Sequence, residues 1–164
     1  MMINLFIIYI FDYTILQCFN HRSFLKLLRE DPSNENNMWI KNGYAIGIMS
    51  YSIGVLLARS SLFLFKIRKV EIFTIVESVN VTGWLMQAIF VFVKTPWILF
   101  AWLIVDGLMD GCAYANNYNL LYEQQNLSFK EKELGSTLLA LSYDGGILCS
   151  GIISLVLDQT CLKV

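Results

Sequence analysis

Residues 97–121 read WILFAWLIVDGLMDGCAYANNYNLL. The run exceeds the roughly 20 mainly apolar residues that a helix needs to cross a hydrocarbon core. Its apolar residues are continuous rather than alternating, which selects helix over barrel strand. Working outward, the same pattern repeats. Charges gather at 20–36, 59–71 and 123–133, with long apolar stretches between them. The chain has 164 residues, 56% of them hydrophobic and 15% charged, and a mean hydropathy of +0.55. A soluble domain is nearer 45–50% apolar and about a quarter charged. In lipid only helices or closed barrels satisfy every backbone group. The expectation is an all-α polytopic transmembrane bundle, a single unit over 1–164, with about five spans. Span A is near 1–19, B near 38–58, C near 71–93, D near 97–121 and E near 135–157.

The connections carry readable signals. The A–B loop holds His21, Arg22, Lys26 and Arg29, then Glu30, Asp31 and Glu35. Asp31-Pro32-Ser33-Asn34 is a turn signal, and Asn36 or Asn37 is a candidate cap for span B. Lys94-Thr95-Pro96 makes the C–D link a tight hairpin with Pro96 at a helix start. Trp39, Trp84, Trp97 and Trp102 are candidate interfacial anchors. The B–C loop carries Arg59, Lys66, Arg68 and Lys69, which places it in the cytosol by the positive-inside rule. The N-terminus and D–E loop then share that side, although the A–B loop opposes this with one more basic residue than D–E.

A net charge of −1 gives no basis for a nucleic-acid partner. Cys18, Cys112, Cys149 and Cys161 have no CxxC spacing and read as small core residues, not a metal site or disulfide frame. No cofactor is expected. The start, MMINLFIIYIFDY, has no basic segment before its apolar run and contains Asp12, unlike a cleaved signal peptide.

Small residues recur at helical spacing: Gly43, Gly47, Ser50, Gly54 and Ala58 in span B, Gly107, Gly111 and Ala115 in D, and Ser142, Gly146, Ser150 and Ser154 in E. Such stripes let backbones approach, and they indicate a bundle rather than a function. The acids say more. Asp12, Glu77, Asp106, Asp110 and Asp144 fall inside spans, where an unpaired carboxylate costs roughly 2.5–3.5 kcal/mol. Asp106 and Asp110 lie one turn apart, and Tyr114 and Asn117 continue their face. Span A adds Tyr9, Asp12, Tyr13 and Gln17. Span C adds Glu77, Asn80, Trp84 and Gln87, although an interfacial or protonated position accounts for Glu77 equally well. Three polar edges are what a water-filled pathway needs. The expected pathway residues are Asp12, Gln17, Asp106, Asp110, Tyr114 and Asn117, facing a small-molecule solute or a proton. Tyr143-Asp144 and Gly107-Leu108-Met109-Asp110 superficially match the paired motifs of intramembrane aspartyl proteases. Their order is reversed and Met109 replaces a glycine, so no enzyme is expected.

Specific segments carry a resemblance. Gly54 to Leu62, followed by Lys66-Ile67-Arg68, resembles the GVFASRSSL…RIR element of the battenin family, membrane proteins of lysosomes and vacuoles of the major facilitator type. Asp106 to Asn116 is similar to that family's EGLLGGAAYVN. Ser142 with Gly146-Ile147 and Ser150-Gly151 resembles its SDTLGISLSG, and Tyr9 to Gln17 its YFAEYFINQ. The matches come in family order. They imply the carboxyl-terminal half of a facilitator-type fold, completed by an amino-terminal half or a second chain. They further imply solute transport, or a contribution to lysosomal pH and basic amino-acid homeostasis. The alternative is a non-transporting scaffold or assembly partner whose working surface is the small-residue stripes. Arg59 and Arg68 are expected to anchor a cytosolic gate or helix end. Asp110 stands where the family has glycine, and Asp144 lies one place after the family's aspartate, which turns a helix face by about 100°. Cys161-Leu162-Lys163-Val164 occupies the place of a family prenylation box but makes a poor one; Cys161 is a possible lipid site only.

Overall fold

The computed structural model describes residues 1–30, 37–60, 67 and 69–160. Among them the regular elements are all helical. Helix α1 spans Met2–Thr14 and passes through a π-helical turn, Ile15–Phe19, into α2, Asn20–Glu30. A short α3, Met38–Lys41, precedes α4, Gly43–Ser60. Then come α5, Glu71–Phe90, α6, Pro96–Glu123, and α7, Phe129–Thr160. Among the described residues, four helices are long and apolar enough to cross a membrane: Met2–Glu30, Glu71–Phe90, Pro96–Glu123 and Phe129–Thr160.

The expected fifth span, α4, is not among those four. Its sequence explains why. Arg59 near its end lowers its hydropathy most, and Gly43, Gly47, Ser50, Tyr51 and Gly54, which lie on its buried face, lower it further. Against that face lies α6. A side chain added at Gly54 would meet the Ile104 carbonyl oxygen, and one at Gly107 the Tyr51 carbonyl oxygen. A Cβ at Gly111 would stand 2.6 Å from that of Ala58. The residues that lower the apolarity of α4 therefore allow near backbone contact with α6.

Residue pairing fixes the helix directions. Gly47 faces Leu103, Gly54 faces Leu108 and Ala58 faces Gly111, so α4 and α6 run parallel. On the other side, Gly146 faces Phe6 and Tyr9, while Arg22 is ion-paired to Asp158, so the α1–α2 rod runs parallel to α7. Between α5 and α6, Gly83 meets Trp102 and Asn80 meets Asp106, an antiparallel arrangement. Successive long segments thus alternate in direction.

Two expected boundaries move. His21, Arg22, Lys26 and Arg29 are not loop residues but ride on α2. The helix continues through them because neighbours take up two of the charges. Arg22 donates to Asp158, including its carbonyl oxygen at 3.1 Å, and Lys26 donates to the Ile89 carbonyl oxygen at 3.0 Å. Span C ends at Phe90, where Val91 adopts a left-handed conformation with φ of 48°. Gln87 secures this reversal, donating to the Val93 carbonyl oxygen and accepting from the Val93 N–H, both at 2.9 Å. Pro96 opens α6, and Asn37 caps α3 by accepting from the Trp39 N–H at 3.0 Å. Trp39 and Trp97 lie 4.6 Å apart at one end of the bundle. The turn signal at Asp31-Pro32-Ser33-Asn34 lies outside the described residues.

Candidate functional site: a buried carboxyl cluster

Four acids from three helices meet in the bundle interior. Asp12 of α1, Glu77 of α5, and Asp106 and Asp110 of α6 are each exposed by 2% or less. Helical spacing puts Asp106 and Asp110 on one face of α6, and α1 and α5 close over it. Asp106 is fully tied. Its Oδ1 accepts from Asn80 Nδ2 at 2.7 Å and its Oδ2 from the Trp84 indole N–H at 2.7 Å. Asn80 also donates to Glu77 Oε2 at 3.1 Å and accepts from Trp102 Nε1 at 2.8 Å. Asp110 Oδ2 accepts from the Tyr51 hydroxyl at 2.9 Å. The Asp12 carboxyl reaches Glu77. Apart from that carboxyl–carboxyl contact, neither Asp12 oxygen has a hydrogen-bond partner, nor do Glu77 Oε1 and Asp110 Oδ1. Buried polar atoms are rarely left so, and four acceptor oxygens without donors in one cluster mark a place where protons or a cation would be accommodated.

One cation stands close. The Arg59 guanidinium lies 4.2 Å from the centre of the Tyr114 ring and donates to the Tyr9 hydroxyl at 3.4 Å. Tyr9 contacts Tyr13 and Tyr143, and Tyr114 contacts Tyr118, forming an aromatic sleeve beside the acids.

The expected pathway residues divide. Asp12, Asp106 and Asp110 come together. Tyr114 sits one step away, under Arg59. Asn117 is buried, with Nδ2 donating to the Ala113 carbonyl oxygen at 2.8 Å and its Oδ1 unpaired. Gln17 is apart: it is exposed and lines a separate cleft of about 200 Å³ with His21, Ser154 and Asp158. Five residues separate it from Asp12, which in a helix turns the side chain by about 140°, and it falls within the π turn. Gln87, grouped with a polar edge by spacing, is consumed in holding the α5–α6 reversal. Glu77 joins the cluster without having been in the expected set. Asp144 is exposed on α7 while Asp110 is buried, so the aspartyl-protease pairing does not form. Arg68 and Cys161 lie outside the described residues. Among those described, no set of three potential ligands could hold a metal ion.

Comparison with known proteins decides the family. The model of the family described as CLN3 protein matches residues 1–164. The chain belongs to the CLN3 (battenin) family. It is 33% identical to battenin of Dictyostelium discoideum over 98% of this chain and 37% of that protein. It is 28% identical to protein BTN1 of Yarrowia lipolytica over 96% of this chain and 38% of that protein. Against protein BTN1 of Saccharomyces cerevisiae the identity is 22%, covering 96% and 39%. The chain thus spans less than two fifths of the length of these battenin-family relatives. No solved structure matches it.

Proposed function

We propose that this chain is the carboxyl-terminal portion of a battenin-type solute transporter of the lysosomal or vacuolar membrane. In this reading the Asp12–Glu77–Asp106–Asp110 cluster holds a proton or a cationic group as solute moves. The supporting observation is the convergence of four buried carboxyls, with Asp12 met only by the Glu77 carboxyl. Ionised together they would repel one another strongly in a medium of low dielectric, so the cluster stays near neutrality only by carrying protons or a cation. Intramembrane acids of this kind mark ion or substrate pathways. A facilitator-type half would supply one wall of such a pathway and a second bundle the other. Lysosomal pH and basic amino-acid handling fit a site of this charge.

The scaffold reading draws less support. The small-residue stripes on which it rests are occupied within the bundle, α4 against α6 and α7 against α1. Flux in vesicles tests the proposal, using the chain co-reconstituted with the amino-terminal portion of the Dictyostelium relative. Acid-driven uptake of a basic amino acid is expected. Loss of that uptake in Asp12→Asn supports the assignment; unchanged uptake in both Asp12→Asn and Asp106→Asn overturns it.

A further inference from the structure

Asp144 stands apart from the carboxyl cluster. It is exposed on α7, and among the described residues no side chain bonds or pairs with it. Tyr118, on which its charge acts, donates instead to the Ser136 carbonyl oxygen at 3.4 Å. Two residues on, Gly146 packs against Phe6 and Tyr9 of α1, and two positions turn a helix by about 200°. Asp144 therefore points away from α1. Leu141, Leu148, Ile152 and Leu155 continue its exposed stripe at helical spacing. The charges that bound this apolar run, Glu133 and Asp158, lie roughly 16 and 21 Å away along the axis. The carboxyl thus sits near the middle of a hydrocarbon core of about 30 Å, where so short a side chain does not reach water. Of the four spanning helices α7 is also the least buried.

We propose that the Asp144 face of α7 seats a further transmembrane helix carrying a lysine or arginine at mid-depth. Charge complementarity selects this partner. A lone carboxylate and a lone cation are each costly in lipid, and pairing them relieves both. The described cations of this chain are taken up elsewhere: Arg22 by Asp158, Lys94 by Glu30, Lys26 and Lys132 by carbonyl oxygens, and Arg59 by Tyr9 and Tyr114. The leucines on either side of Asp144 supply packing, which between helices in lipid carries little preference of its own, so the charge sets the choice. A second copy of this chain fits less well, because a shared stripe would bring Asp144 against its own charge. The assignment does not rest on the transport reading. It is measured without flux, and either can fail alone.

The test uses the chain in phosphatidylcholine vesicles with a donor fluorophore at its C-terminus. The probes are acceptor-labelled transmembrane peptides of leucine and alanine, one with a central lysine and one with leucine in that place. Energy transfer to the lysine peptide is expected to saturate, at peptide-to-lipid ratios where the leucine peptide gives only random proximity. Asp144→Asn should raise the half-saturation ratio roughly tenfold or more. Asp144→Lys should reverse the preference, towards a peptide with a central glutamate. Equal transfer to the lysine and leucine peptides overturns the proposal, as does a half-saturation ratio unmoved by Asp144→Asn. Asp144-dependent transfer between two differently labelled copies of the chain also overturns it, making the second copy the occupant. Should Asp144→Asn fail to fold, the two peptides and the Asp144→Lys exchange decide the matter.

Discussion

Asp106 accepts from Asn80 and Trp84 on its two carboxyl oxygens, whereas Asp12 meets only the Glu77 carboxyl, so the same substitution should act differently at the two positions. In Asp106→Asn one oxygen becomes an amide facing the N–H of Asn80 or Trp84. Buried donors then oppose each other, at a cost of about 1–3 kcal/mol. In Asp12→Asn a neutral amide that can donate to Glu77 replaces one of two facing carboxyls. Thermal unfolding in detergent should show a lower midpoint for Asp106→Asn and an unchanged or higher one for Asp12→Asn. The apolar context makes both aspartates legible in the sequence. It does not reveal which of them is satisfied, because the donors Asn80 and Trp84 arrive from another helix. Glu77 was ambiguous for a related reason. Spacing groups it with Asn80 and Trp84 but does not say whether that face turns inward.

At the level of the helices, the glycine spacing of α4 and α6 was readable, and the two stripes meet each other. Gly107→Val should be severe, since its side chain would strike the Tyr51 backbone rather than a yielding side chain. Overpacking typically costs about 1–3 kcal/mol and more where backbones must separate. Loss of the folded chain after detergent extraction would report it. The start of α7 carries a signal that lies outside the apolar spacing. Ser128 Oγ and its N–H both donate to Glu131 Oε2 at 2.7 Å, a capping box that begins the helix before the apolar run. Ser128→Ala should lower stability by about 1 kcal/mol, readable as a shift in the unfolding midpoint. The run of α1 into α2 was not legible. Four basic or titratable residues after Phe19 look like a loop until Asp158, far along the chain, is found beside Arg22.

For the molecule as a whole, the helical class and most span positions follow from the order of apolar runs. The family follows from four short segments, although the shared site could not be assembled without knowing which helices run side by side. Those partnerships are α1 with α7 and α4 with α6, parallel in both cases and never neighbours in sequence. This bears on how the chain enters the bilayer during synthesis. Parallel partners cannot close as a hairpin, so α4 emerges with its glycine face bare and waits for α5 and the following turn before α6 reaches it. Of the five long segments it is also the one whose described residues fall outside the set long and apolar enough to cross a membrane. In a chain ending near residue 95, a cysteine placed at Ser50 on that face should therefore react with a water-soluble thiol reagent, and extension through residue 123 should protect it. Biogenesis of this protein then hinges on a helix that cannot settle until a later one is made.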